Sequence, residues 1–134
     1  MGAHEIKLMG SGNEQRDWLL VSDAAALMIA LVKTAPIGCG PVNLGCGQAV
    51  SVHDAANEFV RAISPDVPVS FSGVRAAGDP DMLVADTTKL KDILTVKGAP
   101  PLLMPPNPLK SFGEVAQWYK NAWDEDVPRA GNAV

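Results

Sequence analysis

Aromatic side chains are scarce in this sequence: three Phe, three Trp and one Tyr make up 5% of 134 residues. A core must therefore rest mainly on Ala, Val, Leu, Ile and Met, which supply most of the 47% apolar content. A basic excess is also missing. Eleven Lys and Arg stand against 15 Asp and Glu, for a net charge of −4. Without a basic face to neutralise phosphates, nucleic acid is not an expected partner. Long hydrophobic runs are absent as well. The longest, residues 24–32, is about half of what a bilayer needs, so no membrane span is expected. The N-terminus lacks the architecture of a secretory leader, and "MGAHEI" has Ile6 where myristoylation needs Ser or Thr. A cytoplasmic location is the expectation. The two cysteines, Cys39 and Cys46, lie in glycine-rich stretches and are expected as free thiols. Together with His4 and His53 they match no common zinc spacing, and no Walker motif occurs, so no metal is expected.

The length suits one domain. Residues 18–21 read as an apolar strand. Ser22 then caps a helix over 23–33 that stops before Pro36, since the residue preceding proline avoids helical geometry. Residues 24–32 leave that helix no polar face, and a helix apolar all round is buried or covered by a partner. A second strand is predicted at 42–44, then a tight turn at 45–47. Ser51 caps a helix to Ile63, whose apolar residues Val52, Ala55, Ala56, Phe59, Val60 and Ile63 recur at three and four. Residues 67–71 form the next strand. Strand, helix and strand within about 30 residues predict a βαβ unit with parallel strands and a right-handed crossover. Asp86 and Thr87 cap a short helix over 88–94. Residues 98–108 make a proline-rich connection. Ser111 and Glu114 form a capping box opening a last helix to about Trp123, with Phe112, Val115, Trp118 and Tyr119 set to cover a core edge. The expected organisation is a single α/β domain over 1–123, with a small mixed or parallel sheet and flanking helices, and a polar, mobile tail over 124–134.

Three stretches offer chemistry. "VNLGCGQAV" resembles half of a dinucleotide fingerprint, but Val50 stands at the third glycine position, which favours a plain strand-to-helix turn. Ser51, His53 and Asp54 lie too close in sequence for a triad. Arg16 and Arg75 each sit beside a Gly- and Ser-containing loop, where a guanidinium can pair with phosphate or with a nearby Asp.

In order along the chain stand "GSGNEQRDWLLVSDAAAL", "VNLGCGQAVSVHDAANEFV", "PVSF", "RAAGDP", "ADTTKL" and "SFGEVAQWY". This succession resembles the C-terminal, substrate-binding part of the extended short-chain dehydrogenases/reductases, the NAD-dependent nucleotide-sugar epimerases and dehydratases, from about Ile6 to Trp123. The resemblance implies that Arg16 holds the pyrophosphate of a nucleotide sugar, with Asp17 fixing the local geometry. The second phosphate arginine of many members falls on Ala76, so Arg75 is the neighbouring candidate. The family's Rossmann glycines, its catalytic Ser or Thr and its Tyr-x-x-x-Lys pair have no counterpart in this sequence. The lone Tyr119 has Trp123 four places on, and the usual tyrosine–lysine base cannot be built.

The resemblance therefore implies no cofactor bound by this chain alone, although the family uses NAD, and no catalysis by the chain alone. Three readings follow: a nucleotide-sugar-binding module, a structural or interaction homo-oligomer without ligand, and a subunit completing an enzyme with a separate Rossmann chain. A natural remnant, a separately encoded piece and an excised fragment all fit. In the family the helix over 23–33 packs partly on the Rossmann half, so an apolar patch, and a homo-oligomer or Rossmann partner to cover it, are expected.

Overall fold

A computed structural model of the chain describes residues 5–96 and 108–126. Strand β1 (Ile6–Leu8) pairs in parallel with β4 (Val69–Phe71) in the register Ile6 to Val69 and Leu8 to Phe71. A second sheet has the order β3–β2–β5: β2 (Gln15–Arg16) runs antiparallel to β3 (Val50–Ser51) and parallel to β5 (Met82–Leu83). Among the described residues four helices flank them: α1 (Val21–Thr34), α2 (Val52–Ile63), α3 (Thr88–Val96) and α4 (Pro108–Asp126). This is the mixed α/β architecture expected, with small parallel and mixed sheets.

The pairing differs from the expected one. Residues 42–44 join no ladder, and β4 pairs with β1 instead, so the parallel connection runs from β1 through α1 and α2. Alternating apolar residues announce a strand but not its neighbour. Here Val42 and Leu44 pack against a cluster of Leu27, Leu90 and Leu94, while Lys89 Nζ bonds the carbonyls of Cys39 and Pro41. The ladder near residue 18 falls earlier, on the polar Gln15 and Arg16. Their backbone partners set it, with Asp17 N–H continuing to Leu83 O at 3.0 Å.

Helix α1 starts at Val21 with Leu20 as its uncapped N-cap, so Ser22 is already helical, and it ends before Pro36 as expected. Only its Leu27 is fully buried; Val21, Met28, Ile29 and Val32 are exposed on the opposite side. An all-apolar helix in this short chain thus covers the core with one stripe and shows the other, giving the anticipated apolar surface. In α2, Ser51 Oγ accepts the Asp54 N–H at 3.0 Å, the expected cap. Asp86 does the same for α3 through the Thr88 N–H at 2.9 Å.

Helix α4 starts at Pro108, earlier than the capping box suggests. Proline is favoured at a first helical position, so Ser111 lies inside the first turn. Its helical residues run to Asp126, three positions into the stretch read as tail. Of the side chains set to cover a core edge, Phe112 meets Trp18 edge-on, with centroids 5.0 Å apart, whereas Val115, Trp118 and Tyr119 are exposed. The buried residues of this helix are Pro108 and the small Ala116, and α4 packs against α2. The proline-rich connection up to residue 107 and residues 127–134 lie outside the described residues. Among those described, no helix is long and apolar enough to cross a membrane.

Candidate functional site

The loop between β1 and β2 wraps a carboxylate. Gly10 and Gly12 take positive φ of 89° and 83°, which only glycine adopts cheaply. The turn aims the Ser11 N–H (2.9 Å) and Ser11 Oγ (3.0 Å) at Glu14 Oε1. Glu14 is 4% exposed. The Ser11 amide, followed by its own amide, holds its carboxyl down to about 2. The loop is tied to the start of α2 by Val52 N–H to Glu14 O and His53 N–H to Gly12 O, both at 2.9 Å.

Arg16 leaves β2 toward the β4–β5 loop. Its guanidinium bonds Gln15 O (2.8 Å), Pro80 O (2.9 Å) and Asp79 Oδ1 (2.5 Å). Arg75 sits on that same loop. It bonds Asp79 O at 2.8 Å and Asp81 Oδ1 at 2.5 Å, and its Nε lies 3.2 Å from Glu14 Oε1. The two arginines expected from sequence therefore meet in one cluster, as two guanidiniums against three carboxylates. A cavity of about 150 Å³ opens beside it, lined by Met9, Gly10, Glu14, Arg16, Val52, Ala76 and Asp79. Ala76, where many family members place the second arginine, is on its wall. Arg75 is turned to Glu14, Asp81 and the Asp79 carbonyl instead. Sequence offers a nearby Asp as an alternative partner without saying which; the Arg followed by two Asp in "RAAGDPD" is the available signal.

The half-fingerprint at 45–47 has its amides occupied. Asp17 Oδ1 accepts from Cys46 N–H (2.8 Å), and Oδ2 accepts from Gly47 N–H (2.9 Å) and Ala85 N–H (3.2 Å). A Cβ on Gly45 would stand 2.5 Å from Asp17 Oδ2 and 2.7 Å from Ala85 Cβ. Gly47 takes a φ of 66°, with Thr87 Oγ1 only 2.6 Å from where its Cβ would be. The turn is thus closed on an internal carboxylate, and these residues do not fit the pyrophosphate of a dinucleotide. Burial, then the Asp17 charge, pushes the neighbouring Cys46 thiol up to about 11; its Sγ bonds Trp18 O. Cys39 and Cys46 are both free thiols.

His4 lies outside the described residues. His53 is on the surface, with Asp54 Oδ1 at 3.2 Å, Asn57 Nδ2 at 3.1 Å and the Phe71 ring tilted beneath it. Ser51 Oγ is engaged as the α2 cap, accepting the Asp54 N–H. Among the described residues no three His, Cys, Asp or Glu are grouped to hold a metal. A larger apolar groove of about 450 Å³ runs between α2, β1, Trp18 and Phe112.

No protein-family model matches the sequence. The chain is 34% identical over 90 residues to a bifunctional UDP-glucose 4-epimerase and UDP-xylose 4-epimerase of Arabidopsis thaliana, covering 64% of this chain and 25% of that enzyme. Its fold is similar to that of a UDP-glucose 4-epimerase from Thermotoga maritima, with a TM-score of 0.70, 17% identity, and 90% of this chain and 36% of the other covered. It is also similar to a UDP-N-acetylglucosamine 4-epimerase from Methanobrevibacter ruminantium, with a TM-score of 0.67, 18% identity, and 88% and 35% covered. The chain thus spans about a quarter to a third of the length of the proteins it matches. Sequence and fold together point to the UDP-sugar epimerases of the extended short-chain dehydrogenase/reductase family, and the coverage is consistent with a partial, C-terminal part.

Proposed function

We propose that this epimerase/dehydratase-like chain carries the phosphate-holding part of a nucleotide-sugar site and does not catalyse by itself. The observation that carries the reading is the Arg16 guanidinium on the wall of the cavity it shares with Ala76 and Asp79. A guanidinium matches two phosphate oxygens at once, and a strand holds it more firmly than a loop would. Arg75 supports the site by holding the 75–81 loop against Glu14. The chain offers no tyrosine–lysine base, and its one Gly-x-Gly turn is closed on Asp17, so NAD is assigned to no residue here. Calorimetry with UDP-glucose, UDP-N-acetylglucosamine and UDP should detect binding, and Arg16→Ala should weaken it by about 1.5–3 kcal/mol, the usual contribution of a charge-assisted hydrogen bond. Binding unchanged in Arg16→Ala would overturn the reading.

A second reading concerns partners. The exposed Val21, Met28, Ile29 and Val32 of α1 and the unladdered residues 42–44 favour cover by another chain, either a second copy or a Rossmann-type subunit. Sedimentation at micromolar concentration should show a species above monomer mass, converted to monomer or insoluble protein by Met28→Glu. A monomeric wild type, with a co-expressed Rossmann chain failing to bind it, would remove this reading.

A further inference from the structure

The Arg16 site is not an open cation. Asp79 stands 2.5 Å from the guanidinium, and a phosphate oxygen bound to the same nitrogen would take the same position. The residues carrying Asp79 form a flap. Val74 O accepts the Gly10 N–H at 2.9 Å, and Asp81 O accepts the Gln15 N–H at 2.8 Å. These two bonds pin its ends to the body. Between them, residues 75–80 are tied down through side chains: Arg16 to Asp79 Oδ1 and Pro80 O, and Arg75 to Glu14, Asp81 Oδ1 and Asp79 O. The one backbone bond within, Asp79 N–H to Ala76 O at 3.2 Å, is internal to the flap. Within the flap Gly78 takes a positive φ of 83°, and nothing lies within 4 Å of where its Cβ would be, so the flap has room to turn there. All of its residues are exposed.

We propose that Asp79 is an internal stand-in for the ligand's phosphate, so that an anionic ligand binds Arg16 by exchanging with Asp79 and releasing the 75–80 flap. This rests on the reading of Arg16 as a phosphate ligand. The exchange is feasible because the pair is open to water: Arg16 and Asp79 are 21% and 36% exposed. An ion pair of that kind favours the closed arrangement by a factor of about 5 at most. Apparent affinity falls by the fraction of molecules that are open, so the closed pair weakens ligand binding by about that factor. Arg75 is not exchanged. Its contact with the nearly buried Glu14 keeps the flap's base in place.

The test uses the whole chain and inorganic pyrophosphate as probe. By calorimetry, Asp79→Asn should bind it about 2- to 5-fold tighter than wild type, and Asp79→Ala, which also loses the neutral hydrogen bond, tighter still. Hydrogen exchange supplies a sign that ordinary clamping cannot imitate: pyrophosphate bound to wild type should speed exchange of the Asp79 amide, the hydrogen-bonded N–H within residues 75–80. Arg16→Ala should abolish both effects. If wild type binds through Arg16 but the Asp79 variants bind equally or more weakly, or if pyrophosphate protects the flap, the exchange is wrong while the phosphate reading stands. If neither wild type nor either Asp79 variant binds, both fail.

Discussion

Asp17 and Asp79 are the same side chain in two settings, and each meets a group that sequence marks as ready for an anion. Asp17 accepts three backbone N–H bonds in a closed turn where even a methyl group on Gly45 has no room. The Asp79 carboxylate meets one guanidinium, at the solvent edge of a cavity, on an exposed flap next to Gly78. Backbone amides are fixed by the fold, so the turn at 45–47 is spent on its own carboxylate. A side-chain cation paired with an exposed loop remains available by exchange. An anion site is thus decided less by its donors than by how firmly the protein's own acid is held in it.

The comparison can be broken most easily at Asp17. Asp17→Ala should destabilise the chain by about 3–5 kcal/mol in urea unfolding, because three N–H groups lose their acceptor at roughly 1–3 kcal/mol each, less what entering water restores. Asp79→Ala should cost under about 1 kcal/mol in the same measurement, the range of an exposed ion pair. Equal costs would erase the distinction. Glu14 sharpens it, being held by amides like Asp17 yet touching a guanidinium like Asp79. Its carboxyl is depressed to about 2 in the fold from 4.5. Its stabilising contribution is therefore complete above pH 4.5 and lost as pH falls through about 2. Glu14→Gln should flatten the fall in stability across that window, and NMR titration of Glu14 should find its midpoint near 2. A midpoint near 4.5 would place Glu14 with the loosely held acids.

Much of this was legible because it is local. Ser51 and Asp86 announce their helices through bonds three and two residues away, and the 3.6-residue spacing from Val52 to Ile63 gives the apolar face of α2. Partners distant in sequence were not legible. Residues 42–44 carry a strand pattern, but nothing local says that β4 would choose β1. Arg16 reads as a phosphate ligand through the family resemblance, while Asp79 is 63 positions away and its bond depends on the loop's path. The resemblance supplied Asp17 as a local organiser; only the geometry shows that it closes the glycine turn. The aromatic residues of α4 misled because rings suggest a core, whereas the helix buries Pro108 and the small Ala116 and leaves Trp118 68% exposed.

The closed turn also contains its own reporter. Cys46 donates its backbone N–H to Asp17 and keeps its thiol protonated at neutral pH, so a thiol reagent reaches it only when the turn opens. Cys39, half-exposed on a separate loop, reacts without that delay. The lag between the two alkylations, followed by mass spectrometry, is a stopwatch for the breathing of residues 45–47, readable in the native chain without any substitution.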